Sequence, residues 1–84
     1  MFFHKHFDKR FAKLPIKIQR KALEIIQLFR KEPYAQILDN HALGGKYLGL
    51  RSIDITGDFR AIYDPLADDS AHFVDVGKHS QLYR

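Results

Sequence analysis

Side chains that could move protons or hold a phosphate stand from residue 41 onward, in a predicted loop and at or just beyond predicted strand ends. They are His41, Asp54, Asp58, Arg60, Lys78, His79 and Tyr83. Asp58 and Arg60 are two residues apart, so they share one face of a strand. Because neighbouring strand ends converge in a compact antiparallel sheet, we expect these groups to gather at one rim.

These residue types match the chemistry of RNA cleavage by side chains alone. A base must take the proton of the ribose 2′-OH, an acid must protonate the leaving 5′-oxygen, and a cation must stabilise the crowded phosphate. Histidine suits both proton transfers because its ordinary pKa is about 6.5, and each well-placed acid or base contributes roughly 10²–10⁴ in rate. Arg60 would hold a phosphate oxygen, Lys78 would add a point charge, and Tyr83 would stack on a base.

Several of these residues also have a purely structural interpretation. Asp58 would cap the turn formed by Thr56 and Gly57, which is a common use of aspartate. Arg60 would pair with Asp58 or Asp75 on the surface. The spacing alone leaves both interpretations open.

Length and composition narrow the class of protein. The 84 residues form one domain, 1–84, and 45% hydrophobic residues is ordinary for a globular protein. The absence of cysteine excludes a disulfide framework, thiolate zinc sites and cysteine nucleophiles. No apolar run approaches the roughly 20 residues that span a bilayer, so we expect a cytoplasmic protein with no membrane contact. The sequence predicts no metal and no cofactor.

The charge of the chain is concentrated in its first part. Residues 1–31 carry nine Lys or Arg against two acids, whereas the rest carries five against eight, and the net charge is +4. A basic N-terminal part indicates contact with a polyanion such as RNA, DNA or a ribosome surface, or else a solvated helix face.

Hydrophobic periodicity predicts two helices that are followed by three strands. Phe7, Phe11 and Leu14 recur at helical spacing, and a second apolar stripe predicts a helix over residues 16–31. The predicted strands cover residues 1–6, 47–55, 59–64 and 71–76, with a loop at 34–46 and turns at 56–58 and 65–69. The order β-α-α-β-β-β predicts an α+β fold with an N-terminal helical hairpin packed on a small antiparallel sheet.

The motifs around these residues resemble one known family over nearly the whole chain. In this sequence they read H-x-L-x-G from His41, G-x-R ending at Arg51, G-D-x-R-x-I-Y ending at Tyr63 and G-x-H-x-x-L-Y ending at Tyr83. The series strongly resembles the RelE/ParE superfamily, and within it the YafQ-like and RelE/StbE-like toxins of bacterial type II toxin–antitoxin systems. The basic helical hairpin is part of the resemblance.

The resemblance implies a metal-independent endoribonuclease, an mRNA interferase that cleaves messenger RNA in the ribosomal A site. Its partners would be mRNA, the ribosome and a cognate antitoxin that wraps the toxin and silences it. The toxin alone would be a monomer, and with its antitoxin it would form a hetero-tetramer.

The resemblance also implies roles for single residues. The histidine of the H-x-L-x-G loop matches His41, and the aspartate and aromatic residue after the turn match Asp58 and Phe59. The terminal histidine matches His79, which we expect to be the general acid, with Asp58 or His41 as the base. The aromatic residue four positions later matches Tyr83.

Two further positions concern the phosphate and a departure from the family pattern. The RelE-like arginine that binds phosphate matches Arg60. A second family histidine is replaced here by Asp54, so its role is absent, is taken by His79 or His41, or falls to an Asp54 with a raised pKa. The remaining candidate RNA contacts, which are otherwise solubilising charge, are Lys46, Arg51 and Lys78.

Two other functions fit the same resemblance. A ParE-like gyrase inhibitor would have this fold without nuclease chemistry, but His41 and the spacing from His79 to Tyr83 favour the nuclease. A degenerate toxin that binds its antitoxin without cutting RNA is favoured only by the departure at Asp54.

Overall fold

Two helices lie on one face of a five-stranded sheet. The structure is a computed structural model, and it describes residues 1–66 and 70–83. Its elements are β1 (Phe2–Phe3), α1 (Lys5–Ala12), α2 (Ile16–Lys31), β2 (His41–Ala42), β3 (Arg51–Asp54), β4 (Phe59–Pro65), β5 (Ala71–Lys78) and α3 (His79–Leu82). The 3₁₀ turns at Gln36–Leu38 and Gly45–Tyr47 lie on either side of β2. The predicted α+β class is confirmed.

The sheet is mixed, with the strand order β1-β5-β4-β3-β2. The β3–β4 and β4–β5 pairings are antiparallel, as predicted. The unpredicted β2 also pairs antiparallel with β3, whereas β1 pairs parallel with β5. β1 lies along the edge of β5 that the antiparallel strands leave open, and the His4 N–H donates to the Phe73 carbonyl (2.8 Å) beyond it. The sheet therefore departs from the antiparallel prediction at this edge, since a two-residue strand carries no sequence signal for its direction.

The two long helices form at the predicted apolar stripes. His4 caps α1 by accepting a hydrogen bond at Nδ1 from the His6 N–H (3.0 Å), so the helix begins earlier than predicted and β1 is shorter. α2 has the predicted bounds, because Pro15 directly precedes it and Pro33 follows its end.

Aromatic side chains dominate the core between α2 and the sheet. Phe73 on β5 is fully buried, and its ring centroid lies 5.5 Å from those of Phe29 and Tyr63. Phe7 of α1 completes the group at 5.8 Å from Phe73. Burial of such large apolar side chains is the main force that folds a domain of this size.

The opposite face of the sheet, called the outer face below, carries a second buried group. Ser52 and Ile62 are cross-strand partners on this face and both are fully buried. Leu82 of α3 is 1% exposed and also lies outside the α2 core. The one-turn helix α3, which the sequence did not predict, therefore anchors the end of the described chain.

Two predicted boundaries on the β2–β4 side need correction. β3 begins at Arg51 rather than at residue 47, because Gly49 has a φ of 93° and strand geometry cannot pass through it. The loop predicted at 34–46 contains β2 and the 3₁₀ turn at Gln36–Leu38.

The other differences concern β5 and its approach. The turn predicted at 65–69 falls largely outside the described residues, since 67–69 are not among them. Leu66 N–H donates to the Ser70 carbonyl (2.9 Å) next to that segment. β5 extends to Lys78, two residues further than predicted. None of the described helices is long and apolar enough to cross a membrane.

Candidate active site

Strand register brings three of the predicted site residues onto the outer face. His41 on β2 is paired with Ser52 on β3, and Asp54 is paired with Arg60 on β4. Residues paired directly across antiparallel strands share a face, and so do residues two apart in one strand. His41, Asp54 and Arg60 therefore project from the same face, away from α2.

The Arg60 guanidinium is held by the hairpin between β3 and β4. Its Nε lies 2.9 Å from Asp54 Oδ1, and its Nη1 donates to the carbonyl oxygens of Gly57 (2.9 Å) and Thr56 (3.3 Å). Only 18% of the Arg60 side chain is exposed. These contacts fix the direction in which the guanidinium presents its other N–H groups, which is what recognition of a phosphate requires.

Asp54 forms an ion pair with this arginine in a buried place that disfavours its ionised form. The Arg60 Nε–H does not point at Asp54 Oδ1, so this buried oxygen takes part in an ion pair without accepting a hydrogen bond. Burial raises the pKa of Asp54 above its ordinary 3.8, and Asp39 raises it further, while Arg60, His41 and His79 lower it. Burial outweighs the attraction of the cations, so this carboxyl holds its proton more tightly than a free aspartate.

α3 places His79 beside the same hairpin. The His79 N–H donates to the Asp58 carbonyl (2.8 Å), and the His79 ring centroid lies 4.6 Å from that of Tyr83. Both His79 and His41 are close enough to Asp54 to lower its pKa. The two imidazoles, the carboxyl and the guanidinium thus belong to one cluster.

Tyr47 fixes α3, although the sequence did not point to it. Its hydroxyl donates to the Leu82 carbonyl (2.8 Å), and its ring meets the Tyr83 ring edge to face at 5.8 Å. Burial, then the charge of Asp75 and then Tyr83 raise the pKa of Tyr47 above its ordinary 10.0, despite Arg10, so the phenol remains a donor at neutral pH. No sequence signal could have identified it, because its partner is the backbone of an unpredicted helix.

Asp58 does not cap the turn before β4, which was the structural alternative for this residue. Thr56 Oγ1, and not Asp58, closes the turn, by accepting from the N–H groups of Asp58 (3.3 Å) and Phe59 (3.2 Å). The Asp58 side chain is exposed. Phe59 packs partly on the α2 core, and Lys78 Nζ lies 6.0 Å from its ring centroid.

Two predicted RNA contacts lie away from the cluster or at its margin. Arg51 faces the opposite side of the sheet, where its Nε donates to Asn40 Oδ1 (2.8 Å) and its guanidinium lies over the Tyr34 ring at 5.5 Å. Alternation along β3 points Arg51 away from Asp54, and an RNA contact by Arg51 stays a prediction. Lys46 is exposed beside Tyr47, 5.1 Å from its ring centroid.

Proton-transferring and anion-binding groups thus meet on the outer face. Within residues 1–66 and 70–83, no three His, Asp or Glu side chains converge as metal ligands would. A fixed guanidinium beside imidazoles and a carboxyl with a raised pKa can bind a phosphate and exchange protons with it.

Solved structures resemble this chain along its length, although no protein-family model matches the sequence and no curated protein does. YafQ from E. coli strain BL21(DE3) superposes with a TM-score of 0.81 at 23% identity, covering 99% of this chain and 96% of that one. A chain of the toxin–antitoxin complex RelBE2 from Mycobacterium tuberculosis gives a TM-score of 0.74 at 19% identity, covering 92% of this chain and 93% of that one. The chain has the RelE/YafQ fold.

A third structure with this fold is nearer in sequence. It is the copper-bound L66S mutant toxin from Helicobacter pylori, with a TM-score of 0.69 at 28% identity, covering 98% of this chain and 96% of that one. The predicted resemblance is thus confirmed at the level of the fold.

Within the RelE/YafQ fold, the predicted site residues fall into three groups. His41, Asp54, Arg60 and His79 form the cluster, with the Tyr83 ring tilted against that of His79. Asp58, Phe59 and Lys78 surround the hairpin end next to it, and Lys46 borders Tyr47. Arg51 is separate. The roles assigned to these residues remain predictions.

Proposed function

We propose that this protein is the toxin of a bacterial type II toxin–antitoxin system and a metal-independent endoribonuclease that cleaves mRNA in the ribosomal A site. The observation that carries the proposal is the Arg60 guanidinium, fixed by Asp54 and two carbonyls within a cluster that includes His41 and His79. A gyrase inhibitor has no need of such a set of acids and bases.

The proposed reaction is an attack of the ribose on its own phosphate. His41 or the exposed Asp58 carboxylate takes the proton of the 2′-OH, and the 2′-oxygen forms a bond to phosphorus. Arg60 stabilises the charge on the non-bridging oxygens. The bond from phosphorus to the 5′-oxygen breaks as His79 gives that oxygen a proton. The products are a 2′,3′-cyclic phosphate and a 5′-hydroxyl end.

Asp54 stands where the resemblance implies a second histidine. Its contact with Arg60 supports a positioning role, in which the carboxyl directs the guanidinium toward the phosphate. Its raised pKa also makes it a better proton carrier than an ordinary aspartate, so part of the missing histidine's role can fall to it.

The proposal includes a cognate antitoxin as partner. Its support is that a similar fold occurs in a toxin–antitoxin complex, that of RelBE2. We propose that the toxin alone is a cytoplasmic monomer and that the two proteins form a hetero-tetramer. Mass spectrometry of the native complex would measure that stoichiometry.

Mapping of cleavage in a translated message tests the proposed function. The purified protein is added to a reconstituted translation reaction, and RNA ends are mapped by primer extension. Cuts that depend on translation and fall at fixed positions within codons are expected. DNA breakage without RNA cuts would instead identify a gyrase inhibitor, and neither effect in a folded protein would identify a degenerate toxin.

His79 is the sharpest single-residue test of the mechanism. Removing a general acid should slow cleavage roughly 10²–10⁴-fold, so His79→Ala should lose nearly all cuts. His72→Ala is the matched control, because His72 pairs with Phe2 at the edge of the sheet, away from the cluster. Full cleavage by His79→Ala would refute the assignment of the acid.

A further inference from the structure

A basic groove of about 390 Å³ opens next to the candidate active site, between the end of α1 and the ends of β4 and β5. Arg10, Lys13 and Lys78 contribute its cations, and Leu14 and Phe59 contribute apolar surface. None of its lining residues is acidic. A concave site with this lining is suited to an anionic ligand that also has a flat apolar part.

Gly77 gives Arg10 its place in the groove. A Cβ at Gly77 would lie 2.7 Å from Arg10 Nη2, so a larger residue here would push the end of the Arg10 side chain away from β5. Asp75 Oδ1 lies 3.9 Å from Arg10 Nε and helps to orient it. Arg10 therefore lies against β5 beside Asp75 rather than extending into solvent.

The groove adjoins the catalytic cluster through the strand register. Gly77 is the cross-strand partner of Arg60, and Lys78 is the partner of Phe59. Antiparallel partners have Cα atoms about 4.5–5.5 Å apart, so the groove begins one strand spacing from the residue that would hold the reacting phosphate.

We propose that this groove binds single-stranded RNA beside the cleaved bond, with Arg10 and Lys13 on the phosphate backbone and Phe59 against a base. This inference rests on the proposed function, since the strand in the groove would be the substrate. Positive charge that follows the backbone, together with an aromatic face for the bases, is how proteins bind single strands without sequence preference. An acidic segment of an antitoxin would meet the same cations, but it would make no use of the continuity with Arg60.

Binding must be measured apart from cleavage. The probe is a fluorescent single-stranded oligonucleotide with 2′-O-methyl riboses, which cannot be cut by 2′-OH attack. Its affinity is measured by anisotropy over a series of salt concentrations. The double variant Arg10→Ala/Lys13→Ala should bind about three- to tenfold more weakly. The slope of log K against log salt should fall by about 0.7 for each phosphate that the protein no longer neutralises.

The matched control carries the same change of charge outside the groove. Arg20→Ala/Lys31→Ala removes one arginine and one lysine from α2, where neither residue lines the groove. Its salt slope should stay at the wild-type value. Lys13→Ala alone keeps the test valid if loss of Arg10 disturbs folding, because Lys13 is an exposed residue that follows α1.

The outcomes test RNA binding in the groove independently of the proposed cleavage activity. Equal affinity and slope in the groove variants and in the control would overturn the inference, even if the wild-type protein cleaves mRNA. Weaker binding to a poly-glutamate peptide with unchanged binding to RNA would also overturn it, by identifying a protein site. Reduced RNA affinity in the groove variants supports it, whether or not translated mRNA is cut.

Discussion

Asp54 and Arg60 face each other across β3 and β4, and their contact places the carboxyl beside the guanidinium. The arginine is also held by two carbonyl oxygens, so its position does not depend on the carboxylate alone. The carboxylate, in contrast, loses more from burial than it gains from the nearby cations, because its pKa is raised. Ionisation of Asp54 therefore lowers the free energy of unfolding relative to the protonated carboxyl.

Replacement of Asp54 by asparagine should not destabilise the protein at neutral pH. A carboxyl with a raised pKa contributes stability that is present below its unfolded pKa and is lost as pH rises through its folded pKa. Asp54→Asn should therefore have a free energy of unfolding at least equal to that of the wild type at pH 7. This difference should shrink as pH falls below the ordinary value of 3.8, where both states of the wild type are protonated. Urea unfolding at each pH measures it.

Glu24→Gln is the control for a carboxylate that lies in solvent. The Glu24 side chain is 72% exposed and contacts Lys21 at 3.7 Å. Loss of its charge should therefore change the free energy of unfolding little, both at pH 7 and in acid. A wild type that is more stable than Asp54→Asn at pH 7, with an advantage that disappears in acid, would contradict the prediction. It would mean that the attraction of Arg60 exceeds the cost of burial.

Single residues on regular strands could be placed from the sequence. The strand pattern predicted that Arg60 shares a face with Asp58, and it placed Asp54 and Arg60 on neighbouring strands of one hairpin. Their mutual contact was not predicted, since the sequence offered Asp58 and Asp75 as partners for Arg60. The contact depends on cross-strand register, and that register is fixed by the Thr56 side chain that closes the turn.

Among the elements, α3 depends most on contacts from elsewhere in the chain. A helix of four residues has almost no stability of its own. Leu82 anchors it by burial, the Tyr47 hydroxyl binds its last carbonyl, and the Asp58 carbonyl accepts its first N–H. These contacts hold the imidazole of His79 in place.

Tyr47→Phe should loosen α3 without disturbing the core. The change removes one hydrogen bond worth about 1 kcal/mol and keeps the ring against Tyr83. We expect faster amide hydrogen exchange at Tyr83, a shifted His79 ring resonance and cleavage slowed about fivefold at saturating RNA. The urea midpoint should change little, because α3 lies outside the core around Phe73.

Tyr34→Phe is the matched control for Tyr47→Phe. Tyr34 is 70% exposed and lies beside Arg51, on the side of the sheet away from α3. It should leave hydrogen exchange and cleavage at wild-type values. If Tyr47→Phe behaves in the same way as this control, Tyr47 has no positioning role.

Elements with strong periodicity were predicted well and short ones were not. α2 is a sixteen-residue helix with an apolar stripe along one side, and it lies between two prolines, so its bounds follow from the sequence. β1, β2 and α3 have two to four residues each, and they exist only because neighbouring elements satisfy their backbone groups. The candidate site draws His41 and His79 from two of these short elements, which is why its geometry does not follow from local sequence patterns.

At the scale of the whole molecule, the positive charge is concentrated in one part of the chain, whereas the stability depends on a small core. The cations are concentrated in residues 1–31, and two of them reach the groove beside the active site. The core is small, and a domain of 84 residues has roughly 4–13 kcal/mol of stability. The antitoxin that we propose as partner would add to this by mass action, so the free chain should be the less stable form.

Phe73 is the residue on which the global stability should depend most. It is fully buried, and four other aromatic rings pack around it, from β1, α1, α2 and β4. Phe73→Ala should lower the free energy of unfolding by about 3–5 kcal/mol, because it removes these contacts and leaves a cavity. Phe2→Ala is the control, since Phe2 lies on the neighbouring strand but is 58% exposed. Urea unfolding should show a large loss for Phe73→Ala and under about 1 kcal/mol for Phe2→Ala. Similar losses for both would mean that β1, and not the aromatic cluster, holds the sheet to the helices.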